Sequence, residues 1–334
     1  MNLHKDKTTF STLLTTISER ANIRADILEK DYYVTLMLEE LAQKQETVQA
    51  YFKGGTALYK ALGNIRRFSE DIDLTVEIGD CNNSQAKKRI ESVSKFYSSL
   101  NRTDNKELET DKKGNITSVY EYTPIMAVDS NDELQRFGYV KVEATSFTVS
   151  EPFETKKIFP IIYDLATEDE QEILKEYYGV ESFEIKVITL ERIFVDKVFA
   201  AEFYFVRNDY KDVSKHIYNI SVLITQPVIT GLLNDYELFG KLIGFKRDEE
   251  SRRIGSDLAK KRFEDFIIFD EIENDAMKQA FEHMQDIYVF KPEDKIDFET
   301  AAESLKSLKD VFIGQDPVEE PEQDEEENLG ITML

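Results

Sequence analysis

Two aspartates one residue apart, Asp71 and Asp73, stand in the segment Ser69-Glu70-Asp71-Ile72-Asp73-Leu74. On a strand, residues i and i+2 point to one face. The two carboxylates therefore project together, while Ile72 and Leu74 turn towards a core. Like charges this close repel, and a divalent cation relieves the repulsion. Hard oxygen ligands select Mg²⁺ or Mn²⁺, which complete their shells with water and phosphate oxygens. Upstream lies Phe52-Lys53-Gly54-Gly55-Thr56-Ala57-Leu58-Tyr59-Lys60. Gly54 and Gly55 lack Cβ atoms, so the backbone can approach a phosphate closely. The helix that follows offers free N–H groups and a partial positive charge at its start. The Thr56 hydroxyl adds a donor, and Lys60 lies one turn further on the same face, within reach of a phosphate. Arg66, Arg67 and Ser69 sit on the loop that leads into the aspartates and are candidates for the same nucleotide.

A third acid would complete a two-metal site. Glu143 is the best placed, in the alternating run Tyr139-Val140-Lys141-Val142-Glu143. The other reading of Glu143 is a pairing with Lys141 on the same strand face. Two ions about 4 Å apart stabilise the attacking and leaving oxygens of an in-line displacement. That geometry suits attack of a hydroxyl on the α-phosphate of a nucleoside triphosphate (NTP), with pyrophosphate leaving. The protein then supplies position and charge, and little covalent chemistry of its own.

Elements that could hold these groups follow from the periodicity. Residues 9–46 read as two helices, with Leu13, Leu14 and Ile17 on one stripe and Ile27, Leu28, Met37, Leu38 and Leu41 on another. A short strand at 51–53 breaks at the glycines into one or two helical turns ending before Gly63. Residues 72–78, 118–123 and 139–146 alternate as strands, and 84–100 reads as a helix. Past residue 167 the texture becomes helical, at 167–178, 190–206, 211–224, 232–264, 273–287 and 297–310, with a further strand or link at 183–188. The fold class expected is α+β: a nucleotidyltransferase domain with a mixed sheet flanked by helices over 1–165, a helical domain over 166–314, and a tail over 315–334. The tail is too acidic and too poor in apolar residues to fold by itself.

The bulk properties narrow the setting. A single cysteine, Cys81, excludes an intramolecular disulfide, and with three histidines a zinc cluster is not expected. A reducing cytoplasm fits this usage. The polar start MNLHKDKTTF does not read as a signal peptide, and no apolar run is long enough for a membrane span. Net charge is −24, and the eight acids of residues 316–327 leave −16 when set aside. Broad nonspecific grip on nucleic acid needs a positive surface. A polyanionic substrate must therefore be held locally. Residues 246–262 gather Lys246, Arg247, Arg252, Arg253, Lys260, Lys261 and Arg262, a candidate for an RNA backbone or else a solvated helix face.

The ordered set Gly54-Gly55-Thr56-x-Leu58-x-Lys60, then Arg67-x-Ser69-x-Asp71-x-Asp73, resembles the hallmark of the AbiEii/AbiGii nucleotidyltransferase toxin family. Glu29-Lys30-Asp31-Tyr32 is similar to that family's N-terminal helix. Leu190-Glu191-Arg192, Asp196-Lys197 and Lys215-His216-Ile217-Tyr218-Asn219-Ile220 are similar to its helical motifs. The likeness covers roughly residues 25–265 and is densest at 52–77. It implies a polymerase-β-type fold and transfer of a nucleotide from an NTP to a hydroxyl, with Mg²⁺ as cofactor. It also implies Lys197 on the nucleotide phosphates, a tRNA 3′ end as acceptor, and a cognate antitoxin in a toxin–antitoxin or phage-defence setting. Asn219 stands where the family carries an acid, so it cannot act as a base, although it can orient a water or a ribose hydroxyl. Two alternatives stay open. One is a protein hydroxyl as acceptor, and the other is a nucleotide-binding regulatory module with weakened catalysis.

Overall fold

The computed structural model describes residues 1–63, 67–79, 81–128, 138–146, 152–251 and 256–312. Arg66, Arg252, Arg253 and the acidic tail lie outside them. In chain order the elements are α1 (Lys7–Ala21), α2 (Ala25–Lys44), β1 (Ala50–Lys53), α3 (Gly54–Lys60), β2 (Ile72–Val76), α4 (Asn83–Ser94), β3 (Asn101–Arg102), β4 (Thr110–Lys112), β5 (Asn115–Glu121) and β6 (Tyr139–Thr145). They continue with β7 (Phe153–Ile158), α5 (Ile161–Asp164), α6 (Glu168–Tyr178), β8 (Phe183–Ile188), α7 (Leu190–Phe205), α8 (Tyr210–Leu223), α9 (Pro227–Asn234), α10 (Tyr236–Ser251), α11 (Ile268–Glu271), α12 (Asp275–Tyr288) and α13 (Phe298–Phe312).

Among the described residues, all eight strands join one mixed sheet in the order β3-β5-β6-β2-β1-β8-β7, with β4 also on β5. β1 runs antiparallel to β2 and parallel to β8, and β2 runs parallel to β6. Residues 183–188, left open as strand or link, are thus a strand of this sheet. The sheet takes β8 from beyond residue 165. β3, β4 and β7 were not legible as strands. They are short or polar and lie towards the edges, where few side chains are buried. The predicted helix over 84–100 stops at Ser94, because Lys95 is extended and Phe96 takes φ +64. The helix expected over 232–264 is interrupted at Asp235, whose carboxylate accepts from the Leu238 N–H and starts α10 afresh. Among the described residues no single helix is long and apolar enough to cross a membrane.

Helix α2 is buried on nearly every side, including its charged residues. Glu29 accepts from the Ile125 and Met126 N–H groups at 2.9 and 3.0 Å. Lys30 donates to the Tyr139 carbonyl and pairs with Glu70 at 3.4 Å. Asp31 accepts from Tyr59 Oη at 2.8 Å, Lys60 Nζ at 2.6 Å and the Ile161 N–H at 2.7 Å. One helix thereby fastens α3, the loop before β2 and the start of β6. Buried ions persist only when paired and hydrogen-bonded. These three residues are therefore structural anchors for the elements that carry the aspartates.

Candidate active site

Register decides which side chains meet. Lys53 pairs with Asp73 across β1 and β2, and Asp73 pairs with Glu143 across β2 and β6. Directly paired residues share a sheet face. Lys53, Asp73 and Glu143 therefore form one row. Asp71 and Lys141 each lie two residues earlier, so they share that face. Lys141 Nζ is 3.8 Å from Asp71 Oδ2 and 3.1 Å from Glu143 Oε2. Glu143 thus lies beside Asp73, where a third acid was expected, and is also paired with Lys141.

The glycines are there because side chains would collide. Gly54 has φ +82, and a Cβ added to it would fall on the Asp73 carboxylate, 2.9 Å from Cγ. A Cβ at Gly55 would lie 2.7 Å from Ser69 Oγ and 3.2 Å from Arg67 Nη2. The bend consequently lies directly against Asp73.

A cleft of about 610 Å³ opens over this row. Lys53, Gly54, Asp73 and Glu143 line one side. Opposite stand Ile193, Lys197, Ala200 and Tyr204, spaced four, three and four residues apart along one stripe of α7, with His216 from α8. Tyr204 and His216 stack with ring centroids 5.6 Å apart. Lys112 and Lys113 reach the cleft from the turn between β4 and β5. The chain as a whole is acidic, yet five lysines, with Lys246, line this one cleft.

Burial pushes the Asp73 carboxyl up to about 7, and the charges of Glu143 and Asp71 push the same way. Burial pulls the Lys197 ammonium down to about 8, against the attraction of Asp73. Burial also disfavours the Lys141 ammonium, but Asp71, Glu143 and Asp73 outweigh it and raise its pKa. His216 is held well below its ordinary range by burial and by the Lys197 charge, so it is neutral.

Other expected residues stand elsewhere. Lys60 does not reach the cleft. Its side chain is 1% exposed and locked on Asp31 of α2. Thr56 is also buried. Its hydroxyl is 2.5 Å from the Asp71 carbonyl and 3.0 Å from Ser69 Oγ, so it braces the loop rather than offering a donor to phosphate. Ser69 sits beneath Gly55 in the same brace. Arg67 is buried and donates from Nε to Asn219 Oδ1 at 2.9 Å and from Nη1 to the Phe68 carbonyl at 3.0 Å. Asn219 is wholly buried behind it, is not part of the cleft lining, and its Nδ2 has no hydrogen-bond partner among the described residues. Of the basic segment, Lys246 and Arg247 lie on α10 and are not a free face, while Lys260 beyond it is exposed. Lys246 is buried among Asp196, Glu249 and Glu250, and Arg247 is buried too. Lys261 pairs with Glu202, and Arg262 pairs with Glu264.

Lys53, Lys112, Lys113, Lys141, Tyr204 and His216 were not chosen as site residues from sequence. Lys53 carried a signal, being the residue before the glycines on the strand that pairs with β2, and so did Lys141, two residues before Glu143 on one strand face.

Asp71, Asp73 and Glu143 offer oxygen donors alone, the set that hard divalent ions prefer. Among the described residues no three acids, histidines or cysteines converge closely enough to enclose an ion unaided. Mg²⁺ needs no such cage, because it takes one or two carboxylates and fills its shell with water and substrate oxygens.

A mixed sheet with adjacent carboxylates against a glycine bend, walled by a helix that presents a lysine, defines a nucleotidyltransferase. The family model described as nucleotidyl transferase AbiEii toxin, Type IV TA system, matches residues 36–304. The chain belongs to that family. Solved structures with a similar chain path include MenT4, a nucleotidyltransferase toxin from Mycobacterium tuberculosis, at 13% identity and TM-score 0.42, covering 92% of this chain and 99% of that one. A putative nucleotidyltransferase from H. pylori matches at 15% identity and TM-score 0.38, covering 86% and 97%. Among proteins of curated function none matches.

Proposed function

We propose that this toxin nucleotidyltransferase transfers a nucleoside monophosphate from an NTP to the 3′ end of tRNA, with Mg²⁺ or Mn²⁺ as cofactor. The observation that carries the reading is the Lys53–Asp73–Glu143 row facing Lys197 across one cleft, with Gly54 against Asp73. Asp71 and Asp73 would hold the cation, with Glu143 as the third acid beside them, and the ion would neutralise charge on the triphosphate and favour the ionised form of the attacking hydroxyl. Lys53 and Lys197 flank the carboxylates and draw triphosphate oxygens to them. The glycine bend leaves room for the phosphates to come against β1 and β2. The apolar stripe of α7 and the Tyr204–His216 stack offer a dry surface for the nucleoside. Lys112 and Lys113, on an exposed turn at the cleft, meet an incoming RNA backbone where the rest of the surface would repel it.

The Type IV toxin–antitoxin description of the family supports a cognate antitoxin as partner. A binding module without turnover was an alternative because of Asn219. That residue lies behind Arg67 and away from the cleft, so its lack of a carboxylate gives the alternative no support.

The test incubates the purified chain with each labelled NTP, Mg²⁺ and total tRNA, followed by a denaturing gel. Label should move onto tRNA, and Asp71→Ala and Asp73→Ala should each abolish it. Label on protein alone would replace the acceptor. Transfer that survives both substitutions would overturn the site.

A further inference from the structure

Lys141 stands between two of the three carboxylates. Its ammonium lies 3.1 Å from Glu143 Oε2 and 3.8 Å from Asp71 Oδ2, so it bridges an acid of β6 and the acid at the mouth of β2. Strand alternation fixes this, because Lys141 and Glu143 are two apart on β6 and Asp71 and Asp73 are two apart at β2. A Mg²⁺ on Glu143 would sit about 2.1 Å from a carboxylate oxygen. On this geometry that is within about 5 Å of Nζ, where two positive charges in a half-buried site repel strongly.

On the reading that Asp71 and Asp73 hold a metal, we infer that Lys141 is a built-in substitute for a second ion. The site then takes one exchangeable divalent cation where a two-metal site takes two. A tethered ammonium carries a fixed charge and cannot be lost to a chelator. It keeps Glu143 and Asp71 from repelling each other before substrate arrives. Glu143, expected as the third acid of a two-metal site, is on this inference the carboxylate that holds this lysine.

The experiment counts ions directly. Mn²⁺ is titrated into the full chain with an α,β-methylene NTP, and free Mn²⁺ is read by electron paramagnetic resonance. Wild type and Lys141→Arg should bind one Mn²⁺ per chain, and Lys141→Met should bind two. Circular dichroism and melting check that the variant folds, which its partly exposed position favours. Should Lys141→Met not fold, Lys141→Gln carries the same expectation, and with neither the wild-type count decides. Two ions on wild type, or one on a folded neutral variant, would overturn the inference while leaving the proposed function intact. No ion on wild type would overturn the metal reading beneath it as well.

Discussion

The Asp73 carboxylate occupies the space that a side chain at residue 54 would fill. Gly54 is also held at φ +82, a conformation that costs other residues about 1–2 kcal/mol. Gly54→Ala should therefore fold with a melting temperature a few degrees lower, by roughly 2–4 °C per kcal/mol. Turnover should fall by about 100-fold, because displacing a reacting group by an ångström costs that much. A Gly54→Ala enzyme with wild-type kcat/KM would show that the close approach has no part in the chemistry.

That relationship was legible in outline and not in detail. The glycines, the aspartate spacing and the alternation of residues 139–143 are local patterns, and local patterns say which face a residue takes. They do not say what the face meets. Asp73 and Glu143 are joined by a parallel pairing across some seventy residues of chain, which no window reveals. Lys60 failed for the same reason. Its place on the helix one turn after Thr56 was read correctly, but its ammonium turns to Asp31 on α2, while Thr56 turns to the loop before β2. Lys246 and Arg247 read as an RNA grip or a solvated face because a charged helix usually faces water, and here Lys246 is buried among acids of α7 and α10 and Arg247 donates to the Lys261 carbonyl. The edge strands were hidden by their short length and polar composition.

Burial and neighbouring acids hold the Asp73 carboxyl at about 7, above the range of an unfolded aspartate. Between about pH 4 and 7 the native chain thus keeps a proton that the unfolded chain gives up. Stability from this group is present at the low end and is lost as pH rises through 7. In EDTA, Asp73→Asn should raise the melting temperature at pH 8 and leave it unchanged at pH 4. A cation must displace the same proton, so Mn²⁺ affinity should fall about tenfold from pH 8 to pH 6. Calorimetry showing an affinity flat over that range would remove the role given to Asp73.

Lys197 lowers the Asp73 pKa from across the cleft while burial lowers its own to about 8. Taking away a positive neighbour raises the pKa of an acid. Lys197→Ala should accordingly move the pH midpoint of Mn²⁺ binding upward and reduce kcat/KM by about 100-fold or more, the scale for removing a charge-stabilising group. A residue that only packed α7 would change the melting curve and leave that midpoint in place.

Lys60 and Asp31 form an ion pair that is 1% and 0% exposed. Breaking such a pair from one side strands the other charge and costs about 3–5 kcal/mol. Lys60→Met should lower stability on that scale in a denaturant titration. The KM for NTP should stay within about twofold, which on the arithmetic of affinities is below half a kcal/mol. A large rise in KM with unchanged stability would put Lys60 back on the phosphates.

Arg67 is a buried guanidinium whose Nε rests on a neutral amide, Asn219 Oδ1, and burial lowers its pKa to about 10. Among the described residues no carboxylate lies within ion-pair distance of it. On the other side of Asn219, the Nδ2 group is buried without a partner. An acid at position 219 would replace the orphaned donor with an acceptor and put a charge beside the guanidinium. Hydrogen bonds to charged partners are worth about 1 kcal/mol more than neutral ones. Asn219→Asp should gain about that much stability and keep or raise turnover. Asn219→Leu should lose about 1–3 kcal/mol by leaving Nε unsatisfied, and should slow turnover by freeing Arg67 to shift beneath Gly55. Comparing the two variants separates the possibilities. Equal kcat in both would mean that the brace from α8 to the glycine bend has no bearing on chemistry. A total loss in Asn219→Asp, with the fold intact, would mean that the amide itself performs a task that no carboxylate can.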